Sequence, residues 1–441
     1  MIKGIAIEKL FGIYNYDIKI PQGENVSILT GPNGYGKTTI LNIIRHLLNC
    51  EFWFFYFLEF RRILILFDSD KYIEIQKSAV AQLDYTLLSD KDTVDLSGTL
   101  QSQAKIALKE NQNNALIESF NVSNIYIQRL RRTFMRAGMF HESPEIDLED
   151  ILEANYRLEE DEYLIEQCKN LLMFVQEHNC NFVKEQRILV SKSIPWSVSE
   201  RRNLILSNEY TIDLIAKELK VFFSQKQVEF AQKSQRIDAD FIQRLVSTEC
   251  VQYENEVFYN KLDSLKEKLK KYRRYELVTD INLLEEYPTE LKKILSLYID
   301  DMENKISVFD EFYERLATFD QFISNKVLSN KIIRLNARKG ISIYDTHFLK
   351  EIPLHKLSSG EQNLIILYYK LTFGSERGSL LLIDEPENSL HVAWITQMLD
   401  DYLTMAEKLK CQIILATHSP ALINDKWDMV HDLYLEQLNK K

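Results

Sequence analysis

The residues of this 441-residue chain that can do chemistry gather near its two ends. Residues 31–39, GPNGYGKTT, follow the apolar run NVSIL (25–29) and precede the helix-like ILNIIRHLL (40–48). A strand, a glycine-rich turn and a helix in that order form a phosphate cradle, because a helix N-terminus turns unpaired N–H groups toward an anion. Gly31, Gly34 and Gly36 let the backbone approach with no Cβ in the way. Lys37 supplies a charge for the outer phosphates and Thr38 a hydroxyl for Mg²⁺, with Asn33 and Thr39 completing the lining.

Near the other end, LLLIDEPENSLH (380–391) reads as a short apolar strand that delivers two carboxylates to a sheet edge. Asp384 is placed to hold the metal through water, and Glu385 to polarise a water that attacks the terminal phosphate. HKLSSGEQNLIILYY (355–369) opens a helix at Ser358, where the N–H groups around Gly360 make a second anion site. His418 stands directly after the buried-looking strand IILAT, 33 residues beyond Glu385.

Together these motifs resemble the ABC-type ATPases, with Leu357 to Gln362 (LSSGEQ) in the place of the family's signature. The resemblance implies ATP and Mg²⁺ as cofactors. It makes Lys37, Glu385 and His418 the catalytic group, His418 as the switch histidine that contacts the γ-phosphate. It also implies that Ser358 and Gly360 cap a γ-phosphate held by a second copy, so that the protein is at least a dimer with ATP bound. The family senses its nucleotide with a glutamine that reaches Mg²⁺; Gln128, in NIYIQRLRR, is the first candidate and Gln76 the second. Tyr14 and Phe11 are candidates for stacking on adenine, with a core role the simpler reading of each.

The motifs occupy the first 40 and last 90 residues, with 319 residues from Lys37 to Lys356. That spacing resembles the RecF, SMC and OLD branch rather than transporter cassettes, whose motifs lie close together. Within the branch, DEPENSLHVAW and ATHSPALINDKWD look like ATPase subunits of bacterial anti-phage systems of the PARIS type, with Septu and retron-associated ATPases as cousins. This implies an oligomer that holds a separate effector, a nuclease or toxin, until a phage component appears. OLD-type proteins continue into a Toprim nuclease; 23 residues follow His418 here, so cutting is expected of a partner. Asn388 and Ser389 depart from the usual residues after the Walker glutamate. The alternative is a RecF-like repair clamp on duplex DNA, carried by the basic stretch from Lys266 to Arg274.

The elements that must position these groups are legible in outline. GIAIEKL, YDIKI and RRILILFDSDKYIEIQKS read as strands, the last as a hairpin turning at Asp68 to Asp70. Between Gly138 and Gly340 lie 201 residues without glycine, which reads as helix. Leu295, Tyr298, Met302, Phe309, Phe312, Leu316 and Phe319 follow a three–four repeat, as do Phe258, Leu262, Leu265, Leu269 and Tyr272, and Pro288 between them predicts an antiparallel hairpin. Aromatic residues in the seam favour a packed bundle over a slender arm. The expected fold is therefore α/β, an ABC-type P-loop ATPase head of mixed sheet with helices on both faces and a large all-helical, partly coiled-coil insertion. Its expected parts are 1–135, 136–330 and 331–441.

Composition narrows the setting. Five cysteines without ligand spacing, and a start, MIKGIAIEKL, unlike a signal peptide, predict a cytoplasmic protein with reduced thiols. Phe52 to Phe67 is apolar, but Glu59, Arg61 and Arg62 divide it short of a membrane span. At a net charge of −11 any DNA contact must be local, and a solvated helix face is the simpler reading of Lys266 to Arg274.

Overall fold

In the computed structural model the described residues are 1–77 (except 21, 22, 24 and 70), 104–136 (except 111–114), 152, 156, 158, 161–183, 189–190, 209–246, 253–279, 288, 291–326 (except 325) and 330–438. LLLID and QIILA are buried at every position, as strands covered on both faces must be. They form β12 (Leu380–Asp384) and β13 (Gln412–Ala416), side by side in a five-stranded sheet whose pairings are all parallel. β3 (Val26–Thr30) follows β13, with β14 (Val430–Asp432) at one edge and β8 (Cys180–Val183) at the other.

Because side chains alternate across a strand, this sheet serves two cores. Leu380, Leu382 and Ile414 face one, Leu381, Ile383, Ile413 and Leu415 the other. On the first face lie α1 (Lys37–Leu48), through Ile40, Ile43, Ile44 and Leu47, and a six-stranded antiparallel sheet. That sheet runs β2 (Tyr14–Lys19), β1 (Ile2–Leu10), β4 (Arg62–Phe67), β5 (Lys71–Lys77), β6 (Ala104–Glu110), β7 (Leu116–Val122). Phe52, Trp53 and Phe55, from the apolar stretch, are buried in this core, and no helix among the described residues is long and apolar enough to cross a membrane.

The second core joins the head to the glycine-free region. α3 (Thr211–Ala239), α4 (Asn255–Arg273), α5 (Lys292–Ile306) and α6 (Asp310–Ser324) share it with α7 (Ser359–Phe373) and α8 (Val392–Leu409). Phe319 lies 6.1 Å from Tyr369 and 5.9 Å from Phe373, ring to ring, so the aromatic seam packs as a bundle against the head's own helix. Three antiparallel strands, β9 (Lys331–Asn336), β10 (Gly340–Asp345) and β11 (Glu351–Ile352), lead from α6 to α7.

Two expectations for the insertion need correction. The span 136–330 is not wholly helical: β8 lies inside it and pairs with β12 from Leu380↔Cys180 to Ile383↔Val183. Four residues carry too little periodicity to announce a strand, and its partner is 200 positions away (380 − 180). The three–four repeat from Leu295 to Phe319 does not run along one unbroken helix: a 3₁₀ turn at Ser307–Phe309 separates α5 from α6. Ser307 donates to the Asn304 carbonyl at 2.8 Å and accepts from Lys233 at 2.9 Å, a side-chain competitor to the helical ladder.

Candidate active site

In a parallel sheet the loops leaving the carboxyl ends of the strands emerge on one edge, where ligands bind. The loops after β3, β12 and β13 do so here, and they carry the groups picked out above. The turn into α1 is left-handed at Gly34 (φ 86°) and Gly36 (φ 82°), a conformation that L side chains resist. Gly36 is the N-cap of α1, so the first N–H groups of a twelve-residue helix open onto the turn.

Lys37 is 4% exposed. Its ammonium donates to the carbonyls of Gly31 (3.1 Å) and Pro32 (3.3 Å) and lies 2.5 Å from Nε2 of His418. Burial lowers its pKa, opposed by Glu385, Asp384 and Glu387. Thr38 donates its hydroxyl to Oδ1 of Asp384 at 3.1 Å. Asp384 is buried as the last residue of β12. The pair offers oxygen donors suited to Mg²⁺, which takes few protein ligands and fills its octahedron with phosphate oxygens and water.

Glu385 sits at φ 42°, a strained angle for a residue with a side chain, and its N–H donates to the Ala416 carbonyl at 2.9 Å, which extends the β12–β13 ladder by one step. Asn388 donates to its Oε2 at 2.8 Å, and its Oε1 is 3.3 Å from Nε2 of His418. Asn33, Glu385, Glu387, Asn388, His418 and Ser419 line an open cleft of about 530 Å³. A larger cavity of about 670 Å³ lies at the opposite, amino ends of the strands, around Cys50, His178 and Asn181, away from this chemistry.

The signature segment takes its place beside the same loop. Ser358 is the N-cap of α7 and forms a reciprocal capping box with Glu361: its hydroxyl accepts from Glu361 N at 3.3 Å, and Glu361 accepts from Ser358 N at 2.9 Å. Lys331 of β9 bonds the same carboxylate. A Cβ on Gly360 would stand 2.8 Å from the Ser389 carbonyl oxygen, so α7 begins in contact with the loop that follows Glu385.

The structure thus brings Asn33, Gly34, Gly36, Lys37, Thr38, Asp384, Glu385 and His418 to one edge, with Thr39 on the first turn of α1. Ser358 is exposed, and no hydrogen bond among the described residues ties it to Lys37 or Thr38. Gln128 is exposed on α2 (Asn124–Arg136), after β7, without a described hydrogen bond to Thr38 or Asp384, and Gln76 donates to Glu74 within the antiparallel sheet. Phe11 lies beside Gly36, and Tyr14 is 5.2 Å from Tyr35 of the loop, which also meets Tyr434 at 5.6 Å. Sequence reading missed Glu387 and Thr417, whose link across 30 positions has no local signal.

A family model described as an AAA ATPase domain (AAA_15) matches residues 1–423. The chain belongs to the AAA ATPase domain family. It is an ATPase, and the edge just described carries what such an enzyme needs: a cradle, oxygen donors for a metal, and a carboxylate beside the cleft. A search of curated proteins gives no match. Among solved structures, the Smc head domain of Pyrococcus furiosus, with an extended coiled coil and bound to the C-terminal domain of ScpA, is 15% identical over 96% of this chain and 90% of that one, at a TM-score of 0.34. The SmcHead bound to the C-winged helix domain of ScpA is 10% identical over the same shares, at a TM-score of 0.33.

Proposed function

We propose that this ATPase works as an ABC-type oligomer in which two copies enclose ATP and Mg²⁺, the phosphate loop of one facing Ser358 and Gly360 of the other. One observation carries the reading: Ser358 is a well-built helix N-terminus, exposed and without a described bond to its own phosphate loop, yet joined through Gly360 and Ser389 to the loop that holds Glu385. In this scheme Lys37 binds the outer phosphates, and Thr38 and Asp384 hold Mg²⁺. Glu385, oriented by Asn388, polarises water, and His418 contacts the γ-phosphate.

The finer reading places the enzyme in the cytoplasm as the gate of a separate effector in anti-phage defence. Its helical region, within 136–330, would meet the effector or the trigger, between head parts 1–135 and 331–441. Support comes from DEPENSLHVAW and the ATHSPALINDKWD ending. The DNA clamp is the weaker reading, because acids already pair with part of the basic stretch: Lys268 meets Asp310 and Arg274 meets Asp320, both at 2.6 Å.

Replacing Glu385 by Gln removes the base and keeps the shape. Turnover should fall by about two orders of magnitude or more, and ATP should trap an oligomer in size-exclusion chromatography. A variant that stays monomeric at saturating ATP would contradict the proposal.

A further inference from the structure

We propose that Glu387 is a positioning residue whose carboxylate fixes the turn that carries His418 and so holds the imidazole between Lys37 and Glu385. The inference rests on the role proposed for His418. Glu387 follows β12 and His418 follows β13, so neighbouring parallel strands send both loops to one edge. Oε1 of Glu387 accepts the Thr417 hydroxyl at 2.5 Å and the His418 N–H at 3.0 Å, two donors on one oxygen. The Thr417 hydroxyl in turn accepts from Ser419 N at 2.9 Å, which leaves its single proton for Glu387. Thr417 is fully buried, and its N–H donates to the Leu29 carbonyl of β3 at 3.0 Å.

The turn is therefore held from below by β3 and from the side by Glu387. With its backbone fixed at both points, His418 reaches Lys37 at 2.5 Å and Glu385 at 3.3 Å. Oε2 of Glu387 is buried and has no hydrogen-bond partner among the described residues. Bracing thus uses one oxygen, and an amide can supply one oxygen equally well. This separates Glu387 from a base, which needs its charge.

Steady-state ATP hydrolysis tests this with H418A, E387A, E387Q, T417V and the double variant E387A/H418A, each checked for cooperative thermal unfolding. E387A should lower kcat by about 10- to 100-fold, the scale of a misplaced reacting group, with KM moved only a few-fold. T417V should follow E387A. E387Q should recover most of the turnover, because its carbonyl oxygen accepts both hydrogen bonds. Above all, E387A should cost less than about twofold in the H418A background, since a residue that acts through another has nothing left to lose. Losses that multiply in the double variant would overturn the inference alone, as would an E387Q chain as inactive as E385Q. Full turnover by H418A would overturn the role proposed for His418 and this inference with it.

Discussion

At Gly360 a hydrogen atom stands where a methyl group would meet the Ser389 carbonyl oxygen at 2.8 Å. The contact partner is backbone, so Gly360→Ala must move the loop that holds Asn388, and Asn388 holds Glu385. Turnover should fall roughly tenfold through this displacement, while thermal unfolding stays cooperative. Unchanged kinetics would show that the loop and α7 are not coupled. Residues of this kind divide by the range of their partners. That Lys37, Thr38, Asp384, Glu385 and His418 meet at one sheet edge was legible because each belongs to a short motif with its own local chemistry. The Glu387–Thr417 bond was not, because nothing in DEPENS or ATHSP names the other segment.

Among the elements, β5 shows how an ionised group can hold a sheet together. Glu74 is 3% exposed and receives Arg62 Nε at 2.6 Å and Gln76 Nε2 at 2.8 Å, with Lys109 bonded to its other oxygen. Burial pushes its pKa up, but those hydrogen bonds outweigh it and the net shift is below the ordinary 4.5. A depressed carboxylate pKa contributes stability that is present above the unfolded value and lost as pH falls through the folded one. Glu74→Gln should therefore cost about 2 kcal/mol at pH 7 and less below about pH 4, read by denaturant titration at each pH. A penalty independent of pH would assign the effect to packing. Strands such as β4 and β12 were readable from alternation or from an unbroken apolar run. β8 and the break at Ser307 were not, because one is stabilised by distant pairing and the other by a tertiary hydrogen bond from Lys233.

Over the whole molecule, one parallel sheet separates two cores. The phosphate loop and α1 belong to one, together with the insertion's short helices Glu162–Gln167 and Lys169–Gln176; α7 and the insertion's helices α3 to α6 belong to the other. The aromatic content of the three–four seam already favoured a bundle, and Phe312, Leu316 and Phe319 fill it against the head. The proposed assembly rests on the LSSGEQ resemblance, since no periodicity encodes which chain a helix N-terminus will face. The most direct test of a shared site mixes two defective chains, Lys37→Ala and Ser358→Arg, and measures ATP hydrolysis against each alone. In a mixed dimer the intact phosphate loop of the second chain meets the intact signature of the first, so activity should rise to roughly a quarter of wild type for random pairing. A mixture no more active than the sum of its separate parts would contradict the account.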